Sequence, residues 1–301
     1  MKQVKEKKRV PPSRRLELLL AGCLYYSGLV KLARWWTQRS GPTLAILCYH
    51  NASGGYLREH LLYLRRHYRL LHLEAALEEL YAPRKDASAV QDRRPLLALT
   101  LDDGYHDLYT YGMPLASELQ TPMTVFLIPG YIENGRRFWW LEAEHLLHRT
   151  QVQEATLQGK TYHLNNQYEC QALRQAIDAG VRHAPSVAER ETFLEAAHTA
   201  LGVLPSIELN EQEKLLSPLN WTEVRQMEQS KWISFGAHTM HHPVLAYLAD
   251  TTELQYEVSE CRAVLEQQLA HPVRTFAYPI GKNEHIEEMG AKAAKAAGYD
   301  W

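Results

Sequence analysis

The chain has 301 residues, 46% of them hydrophobic and 23% charged, which suits one large globular domain or one domain with a small insertion. Residues 1–15 carry seven of the 33 basic side chains but only one of the 35 acidic ones, so the rest of the chain is mildly acidic and no nucleic-acid partner is expected. The four cysteines are far apart and include no CxxC pair, which argues against a disulfide scaffold.

The first 40 residues form a segment of their own. After the basic residues, the run from Leu18 to Val30 carries no charge, and a basic, tryptophan-containing stretch follows at 31–36. A membrane-spanning helix needs about 20 apolar residues, so this run is short, and the pattern fits an uncleaved signal anchor or an interfacial helix. The alternative is a helix that docks on the folded domain. We expect residues 1–40 to associate with a membrane surface of the cell envelope. The cytoplasmic face of the membrane is the alternative location.

Residues 41–137 alternate between strand-like and helix-like patterns. Gly41-Pro42 ends the N-terminal segment, and the run from Thr43 to Tyr49 predicts a buried strand that ends at His50. The next predicted elements, in chain order, are an amphipathic helix at 56–81, a surface loop at 82–95, a strand at 96–101, a helix at 105–119 and a strand at 124–128. This order indicates an α/β fold with parallel strands.

A mostly helical insertion at about 138–216 interrupts the alternation. Within it, Glu154 to Leu164 alternates around Gln158-Gly159-Lys160 and predicts a small hairpin. After it we predict a helix that begins at Asn220, a strand at 232–235, a helix at 250–269 and a last strand at 275–278. We therefore expect a single domain at 41–301 that carries the insertion.

Polar side chains of metal-ligand type follow three of these strands. Asp102 and Asp103 come directly after one predicted strand, His238 and His242 after another, and His50 after the first. Reactive residues of α/β proteins collect at the carboxyl ends of strands, so these groups can converge. Asp103 with the two later histidines makes a site with open positions, for which zinc is the default metal and cobalt, nickel or iron also fit. If the segment is helical, the spacing of four residues puts both rings on one face.

Asp102 is then free for proton transfer. A bound Zn²⁺ lowers the pKa of its water from about 15.7 to about 7, and Asp102 can accept the proton as the nucleophile forms. Three simpler interpretations stay open. Asp-Asp-Gly after a strand is often a helix-capping turn, histidines four apart occur by chance on exposed helices, and His241 is an alternative partner for His238.

Three motifs resemble those of the NodB-like polysaccharide deacetylases: residues 100–104 (TLDDG), 238–243 (HTMHHP) and 276–281 (FAYPIG). The resemblance extends from about residue 43 to the end of the chain. It implies a distorted (β/α)7 barrel and a metal-dependent enzyme that removes N- or O-acetyl groups from sugars. It also implies that Asp102 is the general base and that Asp103, His238 and His242 hold the metal.

The chain departs from the family pattern at two places. Ala277 stands where the third motif commonly carries an arginine that orients the base, and Arg274 lies three residues too early. The later Leu-x-His motif, which supplies the general acid, does not follow before Trp301, so C-terminal truncation stays open. Residues 46–50 (ILCYH) resemble that motif moved to the front of the domain, as in the deacetylases of poly-N-acetylglucosamine exopolysaccharide. This implies that His50 is the general acid; the alternative is that it only caps a buried strand.

Aromatic residues near the motifs are candidates for stacking on sugar rings. The candidates are Tyr105, Trp139, Trp140 and Tyr278. We favour the two tyrosines as substrate-binding residues because they lie in motif loops, and we add Pro279, which follows Tyr278. Trp221 and Trp232 are predicted to belong to the core. We predict a metal-dependent hydrolase that deacetylates N-acetylated amino sugars of a polysaccharide or oligosaccharide. The alternatives are a deacetylase or amidase of a small or lipid-linked molecule, and a catalytically silent carbohydrate-binding protein.

Overall fold

The computed structural model describes residues 12–30, 32–33, 36, 43–53, 56–82, 92, 94–204 and 209–301. The first basic residues, Gly41-Pro42 and most of the predicted loop at 82–95 lie outside the described residues. The chain divides into two compact units, Met1–Leu44 and Ala45–Trp301.

The first unit contains helix α1, Pro12–Tyr26, which begins with proline at its first position, where the missing N–H costs nothing. Its apolar side chains are exposed, among them Leu16, Leu19, Leu20 and Leu24. In the described part of the chain, no helix has the length and apolar character needed to cross a membrane.

The second unit is built on a parallel sheet. Its strands are β1 (Leu44–Tyr49), β2 (Arg69–Leu71), β3 (Leu96–Leu101), β4 (Met123–Leu127) and β7 (Ile233–Ala237). The order is β1-β3-β4-β7, with β2 also paired to β3. Every residue of β3 and β4 is buried, which agrees with their continuous apolar sequences. The predicted α/β fold class is confirmed, and the described residues supply five strands of the sheet.

Helices connect these strands. They are α2 (Leu57–His67), α3 (Leu73–Tyr81), a π-helical turn (Leu108–Gly112) that continues into α4 (Met113–Leu119), and α5 (Pro129–Asn134). After the insertion come α10 (Trp221–Gln229), α11 (Thr251–Leu269) and α12 (Asn283–Ala296). Helix α10 begins where predicted, because Asn220 and Glu223 form a reciprocal capping box.

The predicted insertion consists of α6 (Trp139–Arg149), the hairpin β5 (Glu154–Leu157) and β6 (Lys160–His163), α7 (Gln167–Arg182), α8 (Val187–Leu201) and α9 (Glu211–Leu215). The hairpin turns at Gln158 and Gly159, whose φ angles of 50° and 78° suit a tight two-residue turn. These elements bury an apolar cluster of their own that includes Leu146, Tyr162, Leu173, Ile177 and Leu201.

Three predicted elements differ from the structure. The predicted buried strand at 43–49 lies at the edge of the sheet in the described part of the chain, and four of its six residues are exposed. The predicted helix at 56–81 is broken, since Arg69–Leu71 pairs with β3 and this pairing outweighs local helix propensity. The predicted last strand at 275–278 is reduced to one bridge, between Ala237 and Phe276.

Candidate metal and catalytic centre

The carboxyl ends of strands β1, β3, β4 and β7, which are adjacent in this order, bring the candidate residues together. Asp102, which follows β3, donates its backbone N–H to the Tyr49 carbonyl at the end of β1, at 3.0 Å. His238, which follows β7, donates its backbone N–H to the Leu127 carbonyl at the end of β4, at 2.9 Å. The sheet therefore gathers residues that lie as much as 190 positions apart in the sequence, as predicted for strand ends.

The backbone is strained at these positions. Asp103, Thr239 and His242 have φ angles of 73°, 64° and 57°, in the left-handed region that non-glycine residues rarely adopt. Gly104 also has a positive φ, and a Cβ atom there would lie 2.8 Å from Leu127 Cδ2. The surrounding structure holds these residues in uncommon conformations, a pattern that clusters at functional sites.

Asp103, His238 and His242 form a compact, buried group. Asp103 Oδ1 lies 3.6 Å from His238 Nε2 and 3.5 Å from His242 Nε2, and the three residues are 5%, 2% and 6% exposed. Around a tetrahedral ion with bonds of about 2.0–2.1 Å, ligand atoms lie roughly 3.3 Å apart. The spacing of these oxygen and nitrogen atoms therefore fits a small divalent cation.

The hydrogen bonds of His238 suit a metal ligand. Its Nδ1 lies 2.8 Å from the Ala277 carbonyl oxygen, which can only accept, so Nδ1 carries the proton and Nε2 turns its lone pair toward Asp103. Burial lowers the pKa of His238 and lowers that of His242 well below the usual value. Both imidazoles are therefore neutral, which is the form that binds a metal.

Asp103 is the group in this site that most needs a counter-charge. Burial first, and then the nearby charge of Asp102, raise the pKa of Asp103 to about 8, while a hydrogen bond with the Tyr105 hydroxyl acts in the opposite direction. A divalent cation removes the penalty of a buried carboxylate. Two imidazoles and one carboxylate suit zinc, and also cobalt, nickel or iron.

The structure resolves the ambiguity at His241. Its Nδ1 lies 2.6 Å from Glu257 Oε1, and its backbone N–H donates to Glu257 Oε2 at 2.7 Å. Since Glu257 holds this ring, the group formed with Asp103 contains His238 and His242. The spacing of His238 and His242 would put both rings on one face only if the segment were a helix, and the segment is not helical. The left-handed residues Thr239 and His242 bring the two rings within 4.8 Å instead.

Asp102 belongs to a second cluster, with Cys48 and His50. Their ligand atoms lie within 4.8 Å of one another, and Cys48 Sγ is 3.1 Å from Asp102 Oδ2. Burial and the charge of Asp102 raise the pKa of the Cys48 thiol to about 12, so the S–H group donates to the carboxylate. Cys48 was not among the predicted site residues, but its side chain contacts the candidate base.

The family's arginine has no substitute in Arg274. The Arg274 side chain forms ion pairs with Glu74, Glu78 and Asp300 and not with the candidate base. Position 277 still supplies the backbone carbonyl that holds His238, as any residue there would.

Asp107 is a further site residue that sequence analysis missed. Its carboxylate accepts hydrogen bonds from the backbone N–H groups of Ala52 and Ser53, at 2.8 and 2.9 Å, and so fixes the loop that follows His50. Its place five positions after Asp102 was the only sequence signal, and that signal is weak.

Tyr105, Trp139 and Trp140 contact the candidate metal ligands. Tyr105 is 5% exposed, contacts Phe138 and accepts a hydrogen bond from Trp140 Nε1, so its ring is not open to a sugar. Trp139 Nε1 donates to the His242 carbonyl, and the Trp140 ring lies 4.5 Å from the His242 ring.

Tyr278 is half-buried and Pro279 is buried, and their roles in substrate binding stay predictions. Trp221 and Trp232 pack against the main core, as predicted.

The family described as polysaccharide deacetylase matches residues 196–301, a segment that contains the second and third motifs. No curated protein sequence is significantly similar to the chain. The solved structures that resemble the fold include two with a TM-score of 0.50 each. They are IcaB from Ammonifex degensii, at 17% identity, and the Streptococcus pyogenes deacetylase PplD in complex with acetate, at 16%. Each alignment covers 86% of this chain and 82% of the other.

At these identities the two structures show a shared fold. The predicted resemblance to polysaccharide deacetylases is confirmed by the family match to residues 196–301, which also supports the predicted class of enzyme, a hydrolase of the polysaccharide deacetylase type. Asp102 and Asp103 lie outside the matched segment, and their roles stay predictions that rest on the geometry described above.

Proposed function

We propose that the chain removes acetyl groups from N-acetylated amino sugars of a polysaccharide, with a divalent cation held by Asp103, His238 and His242. The observation that carries this proposal is the geometry of the side chains at the carboxyl ends of the strands. One carboxylate oxygen lies 3.5–3.6 Å from two neutral imidazole nitrogens, and a second carboxylate follows the same strand. The family match to residues 196–301 supports the substrate class.

When bound, a divalent cation polarises the acetyl carbonyl and lowers the pKa of water, and zinc is the ion we propose. Asp102 accepts the proton of the attacking water while the water oxygen bonds to the carbonyl carbon of the acetyl group. The Cys48 thiol donates to Asp102 Oδ2, which leaves Oδ1 free to take that proton.

The leaving nitrogen must gain a proton before the carbon–nitrogen bond breaks, because an amide anion is a very poor leaving group. We assign this step to His50, whose ring lies within 4.8 Å of Asp102 and whose loop is held by Asp107. His50 is exposed, so a large glycan can reach it from solvent. The products are acetate and a free amino sugar.

The test is acetate release from N-acetylated glucosamine oligomers by the full-length protein. We expect release with added zinc, none after chelation, and recovery when zinc is restored. A small N-acetylated amide serves as the matched substrate. Equal turnover of both substrates would favour a small-molecule amidase, and tight metal binding without acetate from either would favour a silent carbohydrate-binding protein.

We also propose that residues 1–40 attach the enzyme to a membrane surface of the cell envelope. The support is the exposed apolar face of α1 together with the basic residues around it. We expect the full chain to float with vesicles that contain anionic lipid, and Leu19→Glu with Leu20→Glu to abolish flotation. A matched double substitution in the insertion, Gln171→Glu with Gln175→Glu, controls for added charge. Flotation of the leucine variant at the wild-type level would contradict the proposal.

A further inference from the structure

We propose that Cys48, His50 and Asp102 form a second binding site for a thiophilic divalent cation such as Zn²⁺, and that filling this site stops the enzyme. The existence of the site does not depend on the proposed function, whereas its inhibitory effect rests on it.

The three side chains supply a complete set of protein ligands. A sulfur, an imidazole nitrogen and a carboxylate oxygen lie within 4.8 Å of one another, so small rotations of the side chains bring them onto one ion. Three protein ligands leave a fourth tetrahedral position for water. A thiolate ligand selects zinc or cobalt over magnesium, calcium or manganese.

The backbone holds these ligands in place. Cys48 lies in β1 and His50 directly after it, while Asp102 directly follows the neighbouring β3, and the hydrogen bond from the Asp102 N–H to the Tyr49 carbonyl joins the two strand ends. Cys48 and His50 are exposed and Asp102 is half-buried, so an ion can enter from solvent.

The second site shares no side chain with the buried one. Asp103, His238 and His242 contain no sulfur, and all three are buried. Binding at the second site displaces the proton of the Cys48 thiol to solvent, and coordinate bonds replace the hydrogen bond between Cys48 and Asp102. Because this proton must leave and the ligands are exposed, the second ion binds more weakly than the first.

Occupancy of this site engages both groups that the reaction needs for proton transfer. A coordinated Asp102 cannot accept the proton of the attacking water, and a coordinated His50 cannot deliver one to the leaving nitrogen. Zinc therefore acts in two phases, in which the first equivalent supports activity and an excess removes it.

The test uses Co²⁺ titration of the metal-free, full-length protein, followed by absorption. A thiolate ligand gives a sulfur-to-cobalt charge-transfer band in the near ultraviolet, and only the second site contains sulfur. We expect two equivalents to bind, with the charge-transfer band growing during the second. Cys48→Ser should keep the first equivalent, lose the band and bind the second at least about tenfold more weakly.

Cys170→Ser is the matched control, because Cys170 lies in α7 of the insertion and donates to the Leu164 carbonyl. It should keep both equivalents and the band. Binding of a single equivalent by the wild-type protein, or a charge-transfer band that survives in Cys48→Ser, overturns the site. Equal inhibition of acetate release by excess zinc in wild type and Cys48→Ser overturns the inhibitory role. The cobalt titration tests the second site whether or not acetate is released. An absence of acetate release would count against the proposed function and not against the site.

Discussion

Asp102→Asn is expected to lower the rate of acetate release from an N-acetylated glycan by about 10²–10⁴-fold, with the buried metal site still filled. Asparagine has the same shape as aspartate and still offers an oxygen to the Cys48 thiol, but it cannot take the proton of the attacking water. The proposed ligands of the buried ion are Asp103, His238 and His242, so loss of the base leaves that ion in place. Acetate release and bound metal per chain are the two measurements.

Asp178→Asn is the matched control for this substitution, since Asp178 lies on α7 in the insertion and pairs with Arg174. It should keep both wild-type activity and metal content. Wild-type turnover in Asp102→Asn would contradict the assignment of the base, and loss of the buried ion would show that Asp102 is a ligand of that ion.

His50→Asn is expected to slow release from the N-acetylated glycan by a similar factor of about 10²–10⁴, again with the buried metal site filled. The cause differs, because this variant lacks the proton donor for the leaving nitrogen. An activated aryl acetate has a leaving group that departs without a proton. We therefore expect His50→Asn to hydrolyse the aryl ester at close to the wild-type rate, while Asp102→Asn loses both reactions.

His163→Asn provides the control for this second substitution, because His163 is an exposed histidine at the end of β6 and lies near Glu154. It should behave as wild type with both substrates. If His50→Asn slows the aryl ester as much as the amide, His50 does not act as the general acid. If both rates equal those of wild type, His50 only ends the strand.

Local sequence was enough to predict the elements whose determinants are close together in the chain. The hairpin around Gln158-Gly159 and the start of α10 at Asn220 depend on residues within a few positions of each other. The apolar runs of β3 and β4 predicted buried parallel strands, because a strand covered on both faces has no polar side. Placing Asp103 and His238 at strand ends was enough to predict that they converge.

Other features could not be predicted, because they depend on contacts between distant segments. The edge position and the exposure of β1 depend on how the whole sheet assembles, and the break between α2 and α3 follows from pairing with β3. Likewise, His241 differs from its two neighbours in the motif because Glu257, sixteen positions away on α11, holds its ring.

The sequence by itself determined the kinds of group at the site and their order: two adjacent carboxylates, a distant histidine pair and one histidine ahead of them. Only the tertiary structure decided which atoms meet. Asp103 Oδ1 faces two Nε2 atoms because the Ala277 carbonyl holds the His238 ring and left-handed turns place Asp103 and His242. Cys48 reaches Asp102 across 54 residues because β1 and β3 are neighbours in the sheet. Residue types follow from the chain alone, whereas contacts over such separations exist only once the register of the sheet has set the path of the backbone.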